Sequence, residues 1–138
     1  MGKHLLPLLL FFLPLFSSAQ DLRNASGTTI GTVESDGTIR NASGTYCGQF
    51  TSDGDIRNAL GVSVGHIESD GTIKNSSGSY IGQVSDNGDV RNASGTYVGT
   101  IDGFGNVHDG SGTYLGSARN VPVNEAACIF FFFNIETW

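Results

Sequence analysis

The stretch Ile39-Arg40-Asn41-Ala42-Ser43-Gly44-Thr45-Tyr46-Cys47-Gly48-Gln49-Phe50-Thr51-Ser52-Asp53-Gly54-Asp55-Ile56 contains two turn signals with a short β-prone run between them. Ser52-Asp53-Gly54 suits a three-residue hairpin loop, a type I turn followed by glycine in the left-handed region. In that register Thr51 faces Asp55 and Phe50 faces Ile56. Treating Ala42-Ser43-Gly44 as the same kind of loop sets Asn41 opposite Thr45, Arg40 opposite Tyr46 and Ile39 opposite Cys47. Apolar side chains therefore meet across both turns, and cross-strand pairs of this kind stabilise a sheet.

The pattern extends in both directions with a period of 17 residues and no insertion. Arg23-Asn24-Ala25-Ser26-Gly27, Arg57-Asn58-Ala59-Leu60-Gly61, Lys74-Asn75-Ser76-Ser77-Gly78, Arg91-Asn92-Ala93-Ser94-Gly95 and His108-Asp109-Gly110-Ser111-Gly112 are further copies. The midway signal recurs as Asp36-Gly37, Asp70-Gly71 and Asn87-Gly88 and decays to Phe104-Gly105. Repetition at this period marks supersecondary units too small to bury their own apolar faces. The same offsets pair Val33 with Ile39, Ile67 with Ile73, Val84 with Val90 and Ile101 with Val107. Across the other turns they pair Ile56 with Val64, Ile73 with Ile81, Val90 with Val98 and Val107 with Leu115.

Cys47 and Phe50 are three apart, which on a regular strand sends them to opposite faces. Gly48 lies between them, and Gly31, Gly65, Gly82, Gly99 and Gly116 take the same place in the other units. A bulge or kink there returns both side chains to one face, and glycine bends at one level let a sheet curve toward closure. The fold expected is all-β: an antiparallel meander of ten to twelve short strands closed into a shallow pseudo-symmetric barrel over residues 20–122. Its rival is a right-handed solenoid with one 17-residue rung per turn, which would pair Ile39 with Ile56 in parallel.

The unit Asp36-Gly37-Thr38-Ile39-Arg40-Asn41-Ala42-Ser43-Gly44-Thr45-Tyr46, with Gly48 following and an Ala-Ala then Phe-rich end, resembles the β-flower proteins, in particular their five-fold form. The likeness spans about residues 21–133. It implies a symmetric barrel of hairpin petals and brings no activity with it. The chain departs from the ideal unit over residues 60–63, at Phe104 and at Asp109-Gly110.

Two further segments flank the repeats. Lys3 and His4 precede an apolar run over residues 5–16, and Ser17-Ser18-Ala19 supplies the small residues of a signal-peptidase site. Residues 1–19 are thus expected to be a signal peptide and the protein to be exported: secreted, periplasmic or envelope-associated. At the other end, residues 123–138 are expected to form an apolar segment. Asn124 suits a helix N-cap, Glu125 the positive helix end, and residues 126–135 are almost wholly apolar. A barrel of ten or more strands has a wide interior, and a helix apolar all round needs enclosure, so this segment is expected to plug the centre. A closing strand over residues 129–133 and a membrane- or partner-inserting tip are the alternatives.

Composition narrows the function. The 138 residues carry 20 Gly, 13 acidic and 7 basic side chains, for a formal charge of -6. No basic stripe exists to displace counterions, so nucleic acid is not an expected partner. Neither phosphate-loop, dinucleotide nor zinc-protease spacing occurs. Aspartate before glycine is a turn residue and the calcium-solenoid rhythm is absent, so no metal, cofactor or catalytic residue is expected. Asn24, Asn41, Asn75 and Asn92 begin Asn-x-Ser sequons, which Asx-turn bonding explains equally well.

Two weaker features stand out. Arg40 with Tyr46, Lys74 with Tyr80, Arg91 with Tyr97 and His108 with Tyr114 would form an outward ring of cations over aromatics, serving as surface glue or as a grip on glycans or anionic headgroups. Cys47 and Cys128 would share one interior, either as buried thiols or as a disulfide. The function expected is a noncatalytic binding or structural module. The competing reading is a carrier of lipid or another small hydrophobic ligand, or a membrane-surface binder, using the barrel mouth or the Phe-rich tail.

Overall fold

The computed structural model describes residues 20–134; the predicted signal peptide, residues 1–19, lies outside the described residues. Six hairpins follow one another: β1 (Asp21–Asn24) with β2 (Thr29–Val33), β3 (Thr38–Asn41) with β4 (Tyr46–Phe50), and β5 (Asp55–Asn58) with β6 (Ser63–Ile67). They continue as β7 (Thr72–Asn75) with β8 (Tyr80–Val84), β9 (Asp89–Asn92) with β10 (Tyr97–Ile101), and β11 (Asn106–Asp109) with β12 (Tyr114–Ala118). Every strand pairs antiparallel with its neighbours in sequence, and β1 pairs with β12 to close the barrel. Closure leaves no sheet edge to template aggregation.

Across the Asp-Gly turns the register is the expected one. Val33 faces Ile39, Phe50 faces Ile56, Ile67 faces Ile73, Val84 faces Val90 and Ile101 faces Val107. Antiparallel pairing excludes the solenoid. Across the Asn-x-x-Gly turns the expected register is corrected by one residue. Arg40 does oppose Tyr46, but Ile39 opposes Gly48 and not Cys47, because the extra residue of the bulge falls at Cys47. Ile56, Ile73, Val90 and Val107 likewise face Gly65, Gly82, Gly99 and Gly116.

The glycine has to sit there because the backbones come too close for any side chain. A Cβ on Gly65 would lie 2.7 Å from the Lys74 carbonyl oxygen, and one on Gly82 2.6 Å from that of Arg91. The residues before the glycines, Ile30, Cys47, Val64, Ile81, Val98 and Leu115, pack half-buried against the core.

The seam of the ring is handled by Gln20. In the other units the carbonyl of the Asp-Gly turn glycine accepts an amide from the next hairpin: Gly37 from Phe50, Gly54 from Ile67, Gly71 from Val84, Gly88 from Ile101 and Gly105 from Ala118. Ahead of β1 the position of that glycine is held by Gln20. The Gln20 carbonyl takes its place and accepts from Val33 at 3.1 Å, while its side-chain amide donates to the Asn120 carbonyl at 3.0 Å.

The interior is layered. Near the Asp-Gly end, Leu22, Val33, Ile39, Phe50, Ile56, Ile73, Val84, Val90, Ile101 and Val107 converge as a buried, largely aliphatic ring. At this level the central segment is narrow: Ala126, Ala127 and Cys128 are fully buried. Where the wall is glycine, the central segment is wide. Phe131 lies against Gly99, Phe132 against Gly82 and Phe133 against Gly65. Bulky wall thus meets small plug, and bare wall meets aromatic plug, which is how interdigitation fills an interior to native density.

The tail is a plug, as expected, but its geometry differs from a single long α-helix. The α-helix, α1 (Val123–Ala127), has Pro122 at its N-cap with no side-chain cap, so Asn124 lies inside the helix and does not cap it. A π-helical turn follows, Cys128–Phe132, closed by the Phe133 N–H donating to the Cys128 carbonyl at 2.8 Å. Successive hairpins in a six-membered ring are roughly 60° apart, whereas an α-helix advances about 100° per residue. The wider π-turn advances less per residue. Consecutive phenylalanines can then address consecutive hairpins.

Gly82→Ala is expected to destabilise the fold by about 3 kcal/mol, since the methyl meets both the Phe132 ring and the Arg91 carbonyl. Gly95→Ala, at φ +83° with open space around it, should cost only about 1 kcal/mol of backbone strain. Urea unfolding of the two variants checks the difference. Truncation after Asn120 should lower stability far more than either, because burial of one phenylalanine alone is worth about 3 kcal/mol; an unchanged melting temperature would contradict the plug.

Candidate functional site

The register of the outward row is the expected one. Arg40, Lys74, Arg91 and His108 are the register partners of Tyr46, Tyr80, Tyr97 and Tyr114. The Arg91 guanidinium stands 5.9 Å from the centre of the Tyr97 ring, and His108 meets Tyr114 edge-on at 5.5 Å. All four tyrosines are exposed. The barrel spreads these pairs around its circumference, so they form a belt and do not converge on one pocket.

The cations are also tied down. Arg23, Arg40, Arg57 and Arg91 each donate to the carbonyl of the glycine four residues on, at 2.9 to 3.1 Å. Arg40 pairs with Glu34 at 3.2 Å, Lys74 with Glu68 at 2.9 Å, Arg57 with Asp55 at 2.7 Å and Arg23 with Asp21 at 3.2 Å. Each exposed pair contributes at most about 1 kcal/mol. These acids were missed as partners. The signal was present: in two units a glutamate precedes the cation by six residues, and in two others an aspartate precedes it by two.

The repeated asparagines are occupied as well. The Oδ1 atoms of Asn24, Asn41, Asn58, Asn75 and Asn92 each accept amides from the residues two and four further on, at 3.0 Å. Asp109 makes the same two bonds in the last hairpin. Where Phe104 replaces the usual turn aspartate, Asp102 takes over, accepting from Phe104 and Asn106 at 2.9 Å. Both departures from the ideal unit therefore preserve the turn. Asp36, Asp70 and Asp109 titrate below the ordinary aspartate range because Thr38, Thr72 and Thr113 amides donate to them. Asp53 is lowered too, chiefly by the Thr51 hydroxyl.

The cysteines are both free: Cys47 is half-buried in the barrel wall and Cys128 is enclosed in the plug, with no disulfide between them. Burial, together with the charge of Glu125, pushes the Cys128 thiol well above its usual range, which makes it unreactive. Burial alone pushes Glu125 up to about 7. Glu125 lies beside a shallow cavity of about 310 Å³ between two Asp-Gly turns, with Asp53, Glu68, Pro122 and Asn124 around it. Among the described residues no three His, Cys, Asp or Glu side chains are grouped to hold a metal ion.

A closed ring of hairpins whose turns absorb most of the polar side chains, and whose centre is filled by its own tail, defines a symmetric petal-built barrel. The chain belongs to the β-flower family: the family described as 5-fold beta-flower protein matches residues 19–134. Neither a curated protein nor a solved structure matches it.

Asn92→Ala should cost about 1 to 2 kcal/mol, because two turn amides lose their acceptor, whereas Asn92→Asp should be nearly neutral, since Asp109 already makes those bonds. Chemical denaturation of both variants checks this. Glu125 predicts a pH effect of opposite sign to the turn aspartates. Its folded pKa of about 7 exceeds the ordinary 4.5, so the folded state holds its proton more tightly and stability falls as pH rises through 4.5 to 7. The lowered aspartates lose their contribution only as pH falls below about 3.8. Melting temperatures at pH 5 and 7.5 should differ in wild type, and Glu125→Gln should remove most of that difference.

Proposed function

We propose that the chain is an exported, noncatalytic binding or structural module that meets its ligand with the outside of its barrel. The supporting observation is the filled centre: Ala126, Ala127 and Cys128 occupy the axis, and the rings of Phe131, Phe132 and Phe133 press on wall glycines. Recognition is thereby confined to the turns and to the belt of Arg40, Tyr46, Lys74, Tyr80, Arg91, Tyr97, His108 and Tyr114. A tyrosine backed by a cation presents an apolar face beside hydrogen-bond donors, a chemistry suited to glycans.

The signal-like residues 1–19 support export, and Gln20, the first residue after them, takes part in the seam of the barrel. The carrier reading requires the tail to leave the centre and expose the aliphatic ring. A membrane role for the tail requires the phenylalanines to turn away from the glycines they touch.

Retention on a panel of immobilised polysaccharides tests the proposal. Tyr80→Ala with Tyr97→Ala should weaken retention by about tenfold while shifting the melting temperature by only a few degrees. Native mass spectrometry of protein purified from cells should give the bare chain mass; a co-purified acyl chain would favour the carrier instead.

A further inference from the structure

Two places in the ring depart from the repeat without serving the fold. One is the tip between β5 and β6, where Leu60 and Val62 replace hydroxyl residues and are 87% and 55% exposed. The other lies at the seam, and there the departures build a groove. After β12 the chain places Arg119 at the position that Glu34, Thr51, Glu68, Ser85 and Asp102 hold in the other units. Two residues earlier, Ser117 stands where those units carry Thr32, Gln49, His66, Gln83 and Thr100.

The change at Arg119 reverses a charge relationship. In the equivalent places Glu34 pairs with Arg40 and Glu68 with Lys74, at 3.2 and 2.9 Å, so an acid neutralises the cation of the next strand. Across the seam that cation is Arg23, since Ser117 opposes Arg23 as Thr32 opposes Arg40. Arg119 therefore puts a second guanidinium where those units put a carboxylate. Arg23 itself is held by Asp21 at 3.2 Å and by the Gly27 carbonyl at 2.9 Å. Among the described residues the Arg119 side chain has no ion pair or hydrogen bond.

Both arginines line one groove of about 470 Å³, together with Asp21, Asn106, Tyr114 and Ser117. Its size is that of small-molecule sites, about 300 to 1,000 Å³. The short Ser117 side chain leaves the room that a glutamine or histidine takes in other units. Two guanidiniums against one carboxylate make the groove positive, on a chain whose formal charge is -6. Tyr114, 38% exposed, brings the aromatic chemistry of the belt to the same place.

We propose that the seam groove binds an acidic sugar residue, with its carboxylate on Arg119 and its ring against Tyr114. A guanidinium offers paired donors that match a carboxylate, and because Arg119 is unpaired it gives up no internal partner to do so. An aromatic ring offers apolar surface to a sugar, and the Ser117 hydroxyl can both donate to and accept from a sugar hydroxyl. The proposal rests on the reading of the tyrosine belt as a glycan surface and names the class of glycan selected at the seam.

Isothermal titration calorimetry with hexagalacturonate, and with its methyl ester as the uncharged control, tests it. Wild type should bind the acid at least about tenfold more tightly than the ester, and high salt should shrink that preference. Arg119→Glu installs the residue that two other units carry at this place and should abolish the preference. Arg119→Gln removes only the charge and should do the same, with melting temperatures of both variants within a few degrees of wild type. Tyr80→Ala with Tyr97→Ala should leave the preference intact, because neither residue lines the groove. Equal binding of acid and ester, or a preference that survives both Arg119 variants, overturns the inference and leaves the belt reading standing. Citrate binding as tightly as hexagalacturonate overturns it too and makes the groove a site for small carboxylates. No binding of either oligosaccharide also overturns it, and retention on the polysaccharide panel then decides the belt reading separately.

Discussion

The close approach of the strand backbones at one level of the barrel governs the rest of the structure. Gly65 and Gly82 bring their backbones against the carbonyls of Lys74 and Arg91 at distances no side chain tolerates. That contact forces glycine, and glycine leaves the inner wall bare at that level. A bare wall around a ring of six hairpins would be a void, and voids forfeit both transfer energy and dispersion contacts. The tail supplies the missing volume as aromatic rings, and it narrows to Ala126 and Ala127 where the wall is again aliphatic. The composition of residues 126–133 and the glycine period of the repeats are two halves of one packing problem.

The same geometry accounts for the π-helical turn. An ordinary α-helix would carry Phe131, Phe132 and Phe133 past the spacing of the hairpins they fill, and the five-residue span of the hydrogen bond from Phe133 to Cys128 reduces the rotation per residue. Such turns are often taken as signs of a functional site. Here the matching of a helical screw to the rotational spacing of the wall is sufficient reason.

Polar chemistry in this barrel is mostly structural. The asparagines hold turn amides, the arginines clip turn carbonyls, and the acids hold the arginines. Because each of these roles is filled in nearly every unit, the informative places are where units differ. Asp102 and Asp109 depart from the pattern and keep its bonds. Leu60 and Val62 depart from it and gain nothing within the chain, which directs attention outward. Among the described residues Glu125 is the one acid pushed strongly upward, because it begins the segment that enters the apolar interior.

Much of this was legible in the 17-residue period. Turn chemistry at Asp53-Gly54 fixes Phe50 against Ile56, since a three-residue loop leaves one register, and the repetition of that pair implies a continuous apolar row. The outward pairing of Arg91 with Tyr97 follows from the second turn in the same way. Local rules did not place the bulge, because putting the extra residue at Cys47 or at Gly48 satisfies the same alternation; the carbonyl of the neighbouring strand decides between them. They also could not tell that Asn124 would lie within the helix or that the helix would widen after Ala127. The free state of Cys47 and Cys128, and the burial that shifts Glu125, belong to the same class. Hairpin register is set by residues a few positions apart, which the sequence by itself determines. The shape of the plug is set by residues from three different hairpins meeting it at once, and only the closed barrel brings them together.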